Sequence, residues 1–310
     1  MNQKISSRAT FLAILTAVIS GVSVFVSKIG VSVLKDPILY TTLKNGIVAV
    51  FLIGLILVLK RWPEIKALSK AQWIKLFAIS IIGGSLPFAL FFIGITKTTA
   101  INGALIHKTL FLWIFLFAYP FLKERISRLQ WLGVGSIFAA NFFIGGFTGF
   151  KFNGGELMIL GATFLWAIEN IIAKKVLSNL SSVTVAAARM TLGSLFLIPI
   201  LFFRGGLSPI FALNGSQWVF AFIAGALLFG YVLSWYSALK LAPATYVATL
   251  LVPATLVTNV LSAIFVTHAF GFKDFISAFL NILGIGLVVF FAHRISRHPS
   301  SPNKTISTAV

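Results

Sequence analysis

Lys44, Lys108, Glu169 and Arg189 are ionisable side chains set in long stretches that otherwise lack charge, and His107 adjoins Lys108. Cations and a carboxylate in an apolar setting suit two kinds of chemistry: holding an ionised solute, and exchanging a proton as the surroundings change. Trp166, Asn170 and Tyr236 fall in comparable stretches and would add aromatic and hydrogen-bonding surface for such a solute. The segment from Thr98 to Glu124 poses the energetic question. It has the apolarity of a membrane helix, for which roughly 20 residues suffice, yet His107 and Lys108 fall near its middle. A charge there costs about 2.5 to 3.5 kcal/mol even on the mildest scale. An ion pair with Glu169 or a bound solute is the expected offset.

The elements that must position these groups are membrane spans. Hydrophobic residues make up 58% of the chain and charged residues 10%, with mean hydropathy +1.00, whereas a soluble chain is about a quarter charged. The net charge of +19 would suggest nucleic acid in a soluble protein, but the cations lie mostly in one set of loops, so no nucleic-acid partner is expected. The absence of cysteine excludes a disulfide framework, a thiolate nucleophile and cysteine metal sites. His107, His268, His293 and His298 show no ligand spacing, so neither metal nor cofactor is expected. The first apolar run, Ala9 to Leu34, is too long for a signal peptide.

Hydropathy predicts an all-α integral membrane protein with ten transmembrane helices, at 9–34, 38–59, 73–96, 99–122, 130–148, 155–177, 183–203, 217–239, 243–267 and 274–292. Residues 1–8 form a short N-terminus and 294–310 a polar tail expected to be disordered. Sixteen Lys and Arg fall at the N-terminus, the tail and the loops after even-numbered spans, against five in the opposite loops. That bias predicts both termini in the cytoplasm.

Shifting the chain by about 145 residues aligns Lys44 with Arg189, Phe51-Leu52-Ile53 with Phe196-Leu197-Ile198, and Trp73 with Trp218. The chain thus divides into a first five-helix repeat, 9–150, and a second, 151–293. Five crossings per half make the repeats inverted, an arrangement that serves alternating access in many secondary transporters.

On these residues the chain resembles the drug/metabolite transporter superfamily, specifically the EamA-type permeases with two five-helix halves. The matching features are the basic residues Lys44 and Arg189 in the second helix of each half, and Thr99-Ala100 to Glu124 followed by Gln130 and Gly133. In the second half, Ala242-Pro243-Ala244-Thr245 and Pro253 fit, while His268 stands where a Glu is expected and Asp274 where a Gln is expected. The resemblance implies a permease, with export the commoner direction.

At 1.5 Å per residue, Lys108 and Glu169 fall within a turn or two of the midplane. Glu169 reads as the one acid in a span interior, either a structural ion pair with Lys108, Lys44 or Arg189, or a proton-binding gate. His107 is expected to bond a carbonyl, and Asn170 to reach solute. Lys28 and Lys174 read as snorkelling cations.

The reading is a non-enzymatic secondary transporter in a bacterial inner membrane, exporting a small polar metabolite such as an amino acid or related carboxylate. Its partners are that solute and lipid, with protons the candidate coupling ion and the oligomeric state left open. Uptake or exchange of a nucleotide-like or phosphorylated metabolite is the alternative. A lipid-modifying membrane enzyme is a different class, for which the acids are too few.

Overall fold

The computed structural model describes residues 5–98, 100–124, 128–140, 149–203 and 208–297. Local chemistry sets where the helices start. α1 (Ser7–Leu34) begins behind Ser6, whose hydroxyl accepts from Ala9 N at 3.1 Å. α2 (Pro37–Val58) has Pro at its first position behind Asp36, whose carboxylate accepts from Ile38 N at 2.7 Å. After the short α3 (Trp62–Lys66), α4 (Lys70–Ile79) opens with a reciprocal Ser69–Gln72 capping box.

α4 runs through a π-helical turn, Ser80–Ser85, into α5 (Leu86–Ile95), together forming the third span. The fourth span is not the continuous helix expected from hydropathy. It consists of α6 (Ala100–Lys108) and α7 (Leu110–Leu122), broken at Thr109. The Thr109 N–H bonds back to Ile106 O at 3.0 Å and its hydroxyl to the same oxygen at 2.6 Å, tightening the chain out of the α-helical ladder. α8 (Arg128–Ala140) covers the described part of the fifth span; Asn141 and the rest of that expected span lie outside the described residues.

α9 (Gly154–Val176) starts behind Asn153, and α10 (Ser182–Phe203) and the short α11 (Ser208–Phe211) follow. α12 (Gly215–Leu241) opens with an Asn214–Gln217 capping box, at the repeat shift from Ser69–Gln72. The ninth span is broken too, into α13 (Ala244–Leu251) and α14 (Ala254–Ser262), with a π-helical turn at Ala263–Thr267. Here the cause is Pro253, which lacks an N–H and crowds the carbonyl four residues back. α15 (Phe272–Arg297) continues to Arg297, past the expected span end; the remainder of the predicted tail lies outside the described residues.

Among the described residues, nine helices are long and apolar enough to cross a membrane, and Trp131–Ala140 is a shorter apolar helix. Their outward faces carry Phe11, Val50, Leu57, Phe203, Phe222, Phe279 and Ile282, which suits lipid rather than water. The packing obeys the repeat. α1 lies on α12, α13 and α14 as α9 lies on α5, α6 and α7, while α2 packs on α10 and α8 on α15, each pair being counterparts. This is the pattern of a pseudo-two-fold relation between two five-helix halves.

Close approach at the centre depends on glycine. A methyl on Gly84 would run into the carbonyl of Arg189, and one on Gly193 would come within 2.8 Å of Gly84. The π-helical turn and α10 therefore meet backbone to backbone. At one face, Glu64 ties the halves by accepting from Ser181 N, at the start of α10, at 2.6 Å. Burial opposes the charge of this carboxylate, but the Ser181 bonds, helped by Thr184 and Arg61, hold it below the usual range.

Gly84→Ala should lower the thermal unfolding midpoint of the detergent-solubilised protein by several degrees, whereas Gly46→Ala, with open space beyond its Cα, should leave it unchanged or raise it. Because the folded-state pKa of Glu64 is lowered, its contribution is present at neutral pH and is lost as pH falls through that depressed value. Unfolding midpoints recorded from neutral to acid pH should therefore fall less steeply in Glu64→Gln than in the parent.

Candidate functional site

The centre of the molecule is organised by one carbonyl. Pro87 has no N–H to donate to Gly83 O, four residues earlier, so the π-helical turn leaves this oxygen open. It accepts from Trp166 Nε1 at 3.0 Å and from Arg189 Nη2 at 3.0 Å. The adjoining Gly84 O accepts from Asn45 Nδ2 at 3.3 Å, and Ser80 Oγ donates to Ala188 O at 2.9 Å. Helices from both halves, α2, α9 and α10, thus converge on a single irregular turn.

Glu169 lies on α9 one turn beyond Trp166 and packs against Gly83, and its Oε1 accepts a hydrogen bond from the Tyr236 hydroxyl on α12. The Arg189 guanidinium lies 5.7 Å from the Tyr236 ring centre and 5.9 Å from that of Phe88. Glu169 and Tyr236 are 0% exposed and Arg189 5%. Two atoms of this node are buried without hydrogen-bond partners, Glu169 Oε2 and Arg189 Nε.

Lys44 reaches the same centre from α2 but sits in an aromatic cage. Its ammonium is 4.7 Å from the ring centre of Phe92, 5.1 Å from Tyr40 and 5.3 Å from Phe88. Desolvated cation–π contacts are worth about 2 kcal/mol or more, so the rings offset a substantial part of this buried charge.

Lys108 does not pair with Glu169: the cation facing Glu169 is Arg189. Lys108 instead ends α6, half-buried, in the last turn of a half-helix. That end offsets about 0.3 to 1 kcal/mol, well short of the roughly 2.5 to 3.5 kcal/mol that the charge costs.

His107 meets no carbonyl at its buried Nδ1 and packs against Trp166 and Phe91, with ring centres 4.9 and 5.3 Å away. Asn170 braces two tryptophans. Its Nδ2 donates to Trp166 O and its Oδ1 accepts from Trp235 Nε1, both at 2.8 Å. Lys174 is likewise more than a snorkelling cation, since its Nζ donates to Leu239 O and Ala242 O at 2.7 Å each. The Lys28 side chain lies outside the described residues.

Glu169 is also not the sole buried acid of the spans. Glu156, in the first turn of α9 and 3% exposed, was missed as an interfacial helix-start residue. It accepts from Asn102 Nδ2 at 2.7 Å, Thr98 Oγ1 at 3.2 Å, Phe152 N at 2.6 Å and Lys151 N at 2.9 Å. The local signal was Asn153-x-x-Glu156, a helix-capping pattern.

Residues 7–146 and 153–290 each match the EamA-like transporter family. An uncharacterized transporter of Archaeoglobus fulgidus is 28% identical over 226 residues, spanning 70% of this chain and 75% of that protein. The uncharacterized transporter YvbV of Bacillus subtilis is 27% identical over 235 residues, spanning 73% of this chain and 72% of that protein. A protein crystal structure shares the fold at TM-score 0.74 and 16% identity, over 91% of this chain and 98% of that one.

The node's charges should be coupled. Arg189→Met and Glu169→Gln should each destabilise the protein by about 3 to 5 kcal/mol, and their combination by clearly less than the sum. Lys108→Met combined with Glu169→Gln should be additive. Unfolding followed by tryptophan fluorescence in detergent measures both cycles.

Proposed function

The chain belongs to the EamA-like transporter family, and from that premise we propose that it exports a small polar carboxylate of the amino-acid class by alternating access. The observation that carries the proposal is the buried node drawn from both halves, in which Glu169 Oε2 and Arg189 Nε remain without partners. An amino acid offers complementary groups: a carboxylate for a cation, and an ammonium for Glu169. Lys108, whose cost the helix end leaves largely unmet, supplies a second cation for a carboxylate.

In this reading the halves 9–150 and 151–293 rock about the node in a bacterial inner membrane, with both termini cytoplasmic, and the protein acts as a carrier rather than an enzyme. The broken fourth and ninth spans support it, since discontinuous helices are where such carriers bind solute near the midplane. Lys44, Trp166, Tyr236 and His107 shape the wall of the site, and Asn170 positions Trp166 and Trp235. Glu169 exchanges a proton in the cycle, with Tyr236 and Arg189 as its alternate partners.

A thermal-shift panel on purified protein tests the substrate class, because a solute at 100 times its Kd stabilises by about 2.7 kcal/mol. Amino acids and related carboxylates should raise the midpoint. Stabilisation by phosphorylated metabolites alone would replace the proposal with the nucleotide-like alternative. In liposomes, Lys108→Gln should weaken solute affinity, and Glu169→Gln should abolish flux driven by an imposed pH gradient.

A further inference from the structure

The two broken spans are each clasped at the end remote from the break. Glu124, which follows α7 in the first half, accepts from Ala244 N at 2.7 Å, Thr245 N at 3.0 Å and Thr245 Oγ1 at 2.7 Å, all at the start of α13 in the second half. Glu156, which opens α9 in the second half, accepts from Thr98 and Asn102 at the start of α6 in the first half. The arrangement is reciprocal: a carboxylate of each half holds the first turn of a half-helix belonging to the other.

The clasps sit on opposite faces. α6 and α7 run from the Glu156 end to the Glu124 end, and their 9 and 13 residues span roughly 33 Å at 1.5 Å per residue. Each clasped half-helix ends inside the protein at a break, α6 at Thr109 and α13 at Val252–Pro253. A short rigid segment, pinned at one end and broken at the other, is mechanically a leaf on a hinge. α13 is buried along all eight residues, so the leaf is shut in this structure.

We propose that Glu124 and Glu156 are the latches of two opposed gates, Glu124 closing the α13 leaf at one face and Glu156 the α6 leaf at the other. The proposal rests on the transport reading for its purpose but not for its test. It differs from the tie made by Glu64, which holds α10, a helix with no break behind the held end.

The absence of cysteine allows a direct measurement. Thr249→Cys on α13 and Leu105→Cys on α6, buried at 1% and 5% exposure, report the two leaves separately. Each is labelled with a membrane-impermeant maleimide in oriented vesicles. Glu124→Gln should raise Cys labelling at position 249 by about ten-fold from its own face and leave position 105 unchanged, the scale expected when an equilibrium loses hydrogen bonds to a charged group. Glu156→Gln should do the converse, and Glu64→Gln should do neither.

Thr245→Val and Asn102→Ala attack the same clasps from the partner side. They should reproduce the two directions with smaller changes, which separates latch release from misfolding of a Glu variant. Equal increases at both positions, or none at either, would overturn the proposal. Face-specific labelling in a protein that moves no tested solute would support the latches and count against the transport reading alone.

Discussion

The constraint on which the centre depends is the open carbonyl of Gly83. Proline at position 87 makes it, and in an apolar interior such a group must find donors, since leaving it bare costs about 1 to 3 kcal/mol. Trp166 and Arg189 supply them. Their placement then fixes the rest: Trp166 sets the azimuth of α9 and so of Glu169, and Arg189 sets α10 against the glycine turn. Tyr236 closes the circuit from α12. A backbone defect in one half thus becomes the meeting point of side chains from the other.

The frame is nearly symmetric and the chemistry is not. Capping boxes, paired helices and helix breaks recur at the repeat shift, yet the breaks are made by different means, a threonine hydroxyl in one half and a proline in the other. Val232 stands where Pro87 would repeat, and α12 accordingly runs unbroken. In the proposed alternating-access cycle, symmetry supplies two equivalent arrangements of the scaffold, while the unshared residues decide what the centre can hold.

Much of this architecture was legible from residue pattern. Span positions, the two halves and the matched cations Lys44 and Arg189 follow from hydropathy and spacing, because apolar length and internal similarity are local properties. Trp166, Glu169, Asn170 and Ala173 also share a face at helical spacing, so their common burial could be read from the chain. Partner choice could not. Depth along a helix placed Lys108 level with Glu169, but pairing depends on how α6 and α9 are rotated, and that follows from the Gly83 carbonyl. Glu156 was missed because an acid in a first helical turn is ordinarily wet, and only the neighbouring span shows that it is enclosed.

The donors to Gly83 lie far along the chain, Arg189 being 106 residues later. Ribosomal synthesis at about 5 to 20 residues per second makes that interval roughly 5 to 20 s. Late in that interval, before α9 and α10 are complete, the first five spans occupy the bilayer with their central turn unsatisfied, the cage of Lys44 unbraced by α9 and α10, and the α6 leaf without its latch. The first half is therefore a waiting intermediate rather than a finished unit. Biogenesis, no less than transport, hinges on the arrival of α9 and α10.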